Sequence, residues 1–143
     1  MIVDATLVID AVSDAGSRGE AARQALADHP PSEPLVAPGH FAFEVMSGLR
    51  ASANRPSHPF RVDDIEQVLR DAESFEITIE GTPWVDVHRA WTLAQASLRY
   101  PDAIYVAAAE RRGLTFLTSD ARIARSRAPV QCQIVTVSPG DEA

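Results

Sequence analysis

Four carboxylates sit where apolar sequence would hold them rigidly. Asp4 closes MIVD, Glu44 interrupts HFAFEVMSGL, Asp102 lies in YPDAIYVAAA and Asp120 ends LTFLTSD. An unpaired carboxylate is costly to remove from water, so acids in such settings need bound cations, basic partners or raised pKa values. A shared hard-metal site accounts for all four together. Mg²⁺ and Mn²⁺ take oxygen ligands and retain water, and water activated in this way can attack phosphorus while the ion stabilises leaving-group charge. Thr6, Thr118 and Ser119 lie close enough in sequence to Asp4 and Asp120 to orient such ligands or hold a water. Each of these residues also has a plainer role. Thr6 can cap the first helix, Thr118 or Ser119 the last, and Asp4, Asp102 and Asp120 can be caps themselves. Glu44 is the most diagnostic, because inside a helix it has no capping role; its plainer reading is a salt bridge to Arg50 or to a more distant arginine.

The elements that must position these acids can be read from periodicity and punctuation. Ile2 and Val3 read as a strand with Asp4 at the turn, followed by a helix over Thr6–Val12. Ser17 with Glu20 three residues on has capping-box spacing for a second helix through Leu26. Three prolines then precede a short strand at Leu35 and Val36. Pro38 leads into a helix carrying Phe41, Val45, Met46 and Leu49, with Glu44 at the edge of its apolar face. Residues 51–60 are rich in Pro, Ser and Asn and read as a surface connection able to move. Asp63 and Asp64 introduce a helix with Ile65, Val68 and Leu69, and Phe75, Ile77 and Ile79 alternate as in a strand. Pro83 starts a helix on which Trp84, Val87, Trp91, Ala94 and Leu98 recur, a spacing that predicts tryptophans packed in the core or in a subunit interface. Asp102 opens the next helix, Ala103–Glu110, which Gly113 ends. Thr115–Leu117 returns to strand character, Asp120 caps a helix over Ala121–Arg127, and Ile134–Val137 is a last strand. Strands alternating with helices predict one α/β domain over residues 1–143, a three-layer α/β/α sandwich with a mostly parallel central sheet. Ligands in such folds bind beyond the carboxyl ends of strands, where Asp4 and Asp120 fall.

Composition narrows the function classes. With 143 residues, 45% hydrophobic and 23% charged, the chain can bury one sizeable core. The opening MIVDATLVIDAVSD carries Asp4 and Asp10 and has no basic leader, so it predicts neither a signal peptide nor a membrane span, and a cytoplasmic location is expected. Cys132, the single cysteine, has no internal disulfide partner and reads as a small buried side chain. The net charge is −7 and all thirteen basic residues are arginines. That balance argues against a nonspecific nucleic-acid coat, though not against an acidic pocket that meets a phosphodiester through divalent ions. Arg50, Arg55 and Arg122 are candidate phosphate contacts, with Arg61, Arg125 and Arg127 behind them; ordinary exposure is the plainer reading of each. No His/Cys cluster suggests zinc, and His40, at i+4 spacing from Glu44, reads as a satisfied or exposed histidine. Asp4-Ala5-Thr6 lacks the second acid of a phosphoaspartate phosphatase opening, and there is no glycine-rich nucleotide loop.

In their order and contexts, MIVDATLVIDAV, PGHFAFEVMSGLR and YPDAIYVAAAERRGLTFLTSDARIAR resemble the signature of PIN-domain ribonucleases, particularly the VapC-type toxins of bacterial toxin–antitoxin pairs. The resemblance spans almost the whole chain. It implies a PIN-like fold in which Asp4, Glu44, Asp102 and Asp120 meet at one end of the sheet and bind Mg²⁺ or Mn²⁺. It further implies endoribonuclease activity leaving 5′-phosphate and 3′-hydroxyl ends, an RNA substrate such as tRNA or another structured RNA, a homodimer, and a small antitoxin whose tail blocks the acidic pocket. Pro101, directly before Asp102, predicts a shifted helix entrance. Arg122 stands where some relatives place another acid, which favours one firmly held ion with a second joining only when phosphate adds oxygens. Two other classes compete with this reading: a noncatalytic RNA-binding or regulatory PIN-like module, and an interaction-only protein whose Trp84 and Trp91 form an interface.

Overall fold

Strand β1, Ile2–Val3, lies at the centre of a five-stranded sheet and is buried on both faces, which is why it reads as an uninterrupted apolar run. The computed structural model describes residues 1–58 and 60–140. Strands β2 (Val36–Pro38), β3 (Thr78–Glu80), β4 (Phe116–Thr118) and β5 (Ile134–Thr136) complete the sheet in the order β3-β2-β1-β4-β5. Every pairing is parallel, with Ile2 opposite both Val36 and Phe116, and Val3 opposite Leu117. The chain winds outward from β1 through β2 to β3, then returns to the other side of β1 for β4 and β5. The strand order therefore reverses between β1 and β4, and their carboxyl ends flank the switch point where α/β sheets bind ligands.

Helices α1 (Ala5–Ser13), α2 (Ser17–Ala27), α3 (His40–Ala53) and α4 (Ile65–Glu73) pack together as one layer. Helices α5 (Trp84–Ala94) and α6 (Tyr100–Arg112) form the other, with α6 lying along β1, β2 and β4. This is the α/β/α sandwich that the alternation of elements predicts. Ala103, Val106, Ala107 and Ala109 of α6 are buried, and their small volumes let the helix approach the sheet closely. Gly113 ends α6 in the left-handed region at φ 63°, a conformation that costs glycine little. A short α7, Ala121–Ala124, follows β4.

Several local expectations differ from the structure. The α2 cap is Gly16 rather than Ser17, and the Oδ1 atom of Asp14 accepts from the backbone N–H groups of Gly16 (2.8 Å) and Gly19 (3.2 Å). An acid at the end of α1 thereby takes the work expected of the Ser17–Glu20 box. Helix α3 runs through Ala53, with Ser52 and Ala53 buried, so the connection expected over 51–60 begins only at Asn54; Pro59 lies outside the described residues. Helix α6 starts at Tyr100, which puts Asp102 inside the first turn, and α7 ends at Ala124 instead of Arg127. Core burial of the tryptophans is overturned: Trp84 is 77% and Trp91 58% exposed. The inward face of α5 is Asp86, Ala90 and Leu93, at i, i+4 and i+7. Asp86 is buried because Arg111 of α6 donates its Nε–H to Oδ1 at 2.8 Å, so a salt bridge occupies the place that apolar periodicity assigns to an aromatic. On the edge strand β3, Ile79 is 49% exposed, while Phe75 and Ile77 precede the strand and pack partly against the core.

Candidate active site

Asp4 leaves β1 in extended conformation and caps α1, so strand end and helix start jointly fix its carboxylate. Its Oδ1 accepts from the Leu7 N–H at 3.2 Å and from the Thr6 hydroxyl at 2.7 Å, and its Oδ2 accepts from the Thr118 hydroxyl at 2.5 Å. Thr118 is the last residue of β4, held against Asp4 by the parallel register and by the Asp4 N–H donating to the Leu117 carbonyl at 3.3 Å. Ser119 donates to the Thr6 hydroxyl at 3.2 Å, and the Asp120 N–H donates to the Thr118 hydroxyl at 3.0 Å. Thr6, Thr118 and Ser119 thus belong to one hydrogen-bonded cluster around Asp4, while the caps of α1 and α7 are the aspartates. Asp4 is 2% exposed, and burial pushes its carboxyl up to about 6 despite three donors that favour the ionised form.

The other acids are neutralised by different means. In the first turn of α6, Asp102 accepts from the Nε–H of Arg99 at 3.0 Å. Asp120 takes both arms of Arg122, Nε to Oδ1 at 3.0 Å and Nη2 to Oδ2 at 2.7 Å, and this fork holds its carboxyl below the usual range. Arg99 reaches toward Asp120 as well, with Nη2 3.8 Å from Oδ2, so one guanidinium bridges two acids. Glu44 faces inward from α3 and accepts from the Tyr105 hydroxyl at 2.7 Å; His40 Nε2 lies 3.4 Å away and also 3.1 Å from the Pro101 carbonyl. Desolvation first, then the charges of Glu44 and Asp4, raise the Tyr105 hydroxyl pKa and keep it a donor.

Contacts and charge link the four acids in sequence. Asp102 lies near enough for its charge to raise the pKa of Asp4, Arg99 joins Asp102 to Asp120, and Tyr105 donates to Glu44 while within reach of the charge of Asp4. Among the described residues, no group of three or more His, Cys, Asp or Glu side chains is arranged as ion ligands. Guanidinium groups stand as cations beside two of the carboxylates instead, and the donor set itself is hard oxygen of the kind Mg²⁺ or Mn²⁺ takes. A pocket of about 120 Å³ opens beside Asp102, lined by Ser97, Leu98, Arg99, Arg122 and Ile123.

Of the arginines singled out by sequence, Arg122 is engaged with Asp120. Arg50 is exposed in the last turn of α3, and Arg55 lines a polar groove of about 460 Å³ that begins at Thr6. Sequence reasoning missed Arg99 and Tyr105. Both carried a signal: they stand three residues before and three after Asp102, the spacing that puts side chains on one helical face.

An entirely parallel five-stranded α/β/α sandwich with carboxylates flanking its switch point is the class that the fold and site define. The PIN domain profile matches residues 1–128. Ribonuclease VapC3 of Mycobacterium tuberculosis, in strains CDC 1551 and H37Rv, is 32% identical over 130 residues, covering 88% of this chain and 86% of the relative. The chain belongs to the PIN-domain family and is related to its VapC-type ribonucleases. Two solved structures share the fold. A toxin–antitoxin complex from Klebsiella pneumoniae superposes with TM-score 0.67 at 23% identity, over 94% of this chain and 95% of that one. VapC20 of Mycobacterium tuberculosis, a sarcin–ricin loop cleaving toxin, does so with TM-score 0.66 at 14% identity, over 87% and 92%.

Proposed function

We propose that this protein is a toxin-like, Mg²⁺- or Mn²⁺-dependent endoribonuclease, acting in the cytoplasm on tRNA or another structured RNA. The observation that carries the reading is the placement of Asp4 and Asp120 at adjacent strand ends, with the charge of Asp102 within reach, in a chain 32% identical to a ribonuclease. Asp4, Glu44, Asp102 and Asp120 would hold the ion. When bound, Mg²⁺ or Mn²⁺ supplies acidity to a water and charge to the leaving oxygen. Thr6 and Thr118 aim the Asp4 carboxylate, and the Tyr105 hydroxyl fixes Glu44. Arg50, Arg55 and Arg122, once released from Asp120, offer guanidinium groups to the RNA backbone. Water oxygen joins phosphorus as the bond to the 3′ oxygen breaks, leaving a 5′-phosphate and a 3′-hydroxyl. A homodimer and a small antitoxin partner belong to the same reading, through kinship with VapC-type toxins. No helix among the described residues is long and apolar enough to cross a membrane.

Incubation of the purified, partner-free protein with mixed cellular RNA in Mg²⁺ or Mn²⁺, with and without chelator, tests this directly. Cleavage should require the ion, and end mapping should give the stated termini. Asp4→Asn should abolish cleavage while preserving the fold; cleavage in chelator, or full activity of that variant, refutes the mechanism. One observation favours a second reading, a noncatalytic RNA-binding PIN-like module: the arginine pairing of Asp102 and Asp120 satisfies these acids without an ion. RNA retention without cleavage, unaffected by loss of the acids, would select it.

A further inference from the structure

Guanidinium groups engage three of the four carboxylate oxygens that Asp102 and Asp120 could offer an ion. Both oxygens of Asp120 accept from Arg122, and Oδ2 of Asp102 accepts from Arg99, whose other arm lies 3.8 Å from Asp120. A divalent ion ligated at these oxygens would stand only a few ångströms from two arginine heads, a like-charge contact strongly unfavourable in a partly dry site. Nothing buries the arginines, however. The Arg99 side chain is 59% exposed and that of Arg122 is 70% exposed, so each can swing into water at small cost. Among the described residues, the side-chain hydrogen bonds and ion pairs of both go only to these aspartates.

We propose that Arg99 and Arg122 form a built-in counter-ion latch, which pairs Asp102 and Asp120 in the ion-free protein and must be displaced for the divalent ion to load. The proposal rests on the metal-dependent reading above. The latch keeps facing carboxylates from repelling one another while no ion is present, and it sets a threshold ion concentration below which the site stays closed. Release also frees two cationic groups at the mouth of the pocket lined by Arg99, Asp102 and Arg122.

The test is calorimetric titration of Mn²⁺ into the full chain and into Arg99→Gln, Arg122→Gln and Arg70→Gln, at fixed ionic strength. Arg70 pairs with Glu66 on the exposed side of α4, so its substitution makes the same change in net charge away from the site. Arg99→Gln and Arg122→Gln should each bind Mn²⁺ about two- to fivefold more tightly, and the double variant about tenfold, while Arg70→Gln matches the parent. In chelator, Arg99→Gln should also melt at a lower temperature than the parent, with Mn²⁺ closing the gap. Unchanged or weaker binding by both site variants, or equal tightening by Arg70→Gln, overturns the latch and leaves the metal-dependent reading standing. Absence of Mn²⁺ binding by all five proteins overturns both.

Discussion

Replacing Asp4 by Asn should stabilise the ion-free protein near neutral pH while removing its activity. Burial pushes the Asp4 carboxyl up to about 6 from an ordinary 3.8, so the folded state holds this proton more tightly than the unfolded chain. The stability associated with that proton is fully present below about pH 3.8 and is lost as pH rises through about 6. At about pH 7.5 the ionised carboxylate costs the fold about 3 kcal/mol, and at about pH 4 under about 1 kcal/mol. Asn keeps an Oδ1 acceptor for the Leu7 N–H and the Thr6 hydroxyl, but its amide faces the Thr118 hydroxyl, which must reorient; about 1 kcal/mol is lost there. The balance favours Asn by about 2 kcal/mol at about pH 7.5 and disappears or reverses slightly at about pH 4. Urea denaturation of both proteins in chelator at the two pH values measures this gap, and other titrating groups cancel in the difference. A variant less stable than its parent at about pH 7.5, or a gap that does not move with pH, would refute the argument that desolvation dominates at Asp4.

Asp86→Asn should lower stability by about 2–3 kcal/mol, less than for a fully buried pair because Arg111 is partly solvated, with cleavage per folded molecule unchanged; thermal melts and a cleavage assay report both. Gly19→Ala should be far more damaging than Gly48→Ala. A Cβ at residue 19 would lie 1.8 Å from the backbone oxygen of Asp14, whereas at residue 48 it meets the Cδ1 of Ile9, at 2.3 Å, which can turn aside. Losses of more than about 3 kcal/mol and of about 1 kcal/mol respectively are expected in denaturant titrations, and equal effects would contradict this account. Tyr105→Phe keeps the ring stacked on Phe116, at 5.7 Å between centroids, but releases Glu44. Mn²⁺ affinity should fall by about tenfold with little change in melting temperature, and unaltered affinity would remove Tyr105 from the positioning of Glu44.

The centre of the sheet and its layers were legible because β1, β2 and β4 are short buried runs beside proline or an acid, and each long helix keeps one apolar stripe. Ile2–Val3 and Phe116–Thr118 announce the two central strands, and the acids that follow them fall at their carboxyl ends by chain direction alone. What stayed hidden depends on partners far away in sequence. Trp84 and Trp91 share a helical face, yet periodicity cannot say which of two semi-apolar faces turns inward. The choice was made by the Asp86–Arg111 pair across α5 and α6. Spacing puts Arg99 within reach of Asp102, but its second approach, to Asp120, exists only because β4 returns beside β1. The four acids are kept among apolar residues in three different ways. Asp4 has a raised pKa, Asp102 and Asp120 take basic partners, and Glu44 stays half-exposed with a tyrosine donor. In the absence of an ion these arrangements satisfy the carboxylates locally. If the proposed latch holds, loading an ion would exchange Arg99 and Arg122 for that cation and deprotonate Asp4, so ion affinity should fall in acid as Asp4 takes up its proton.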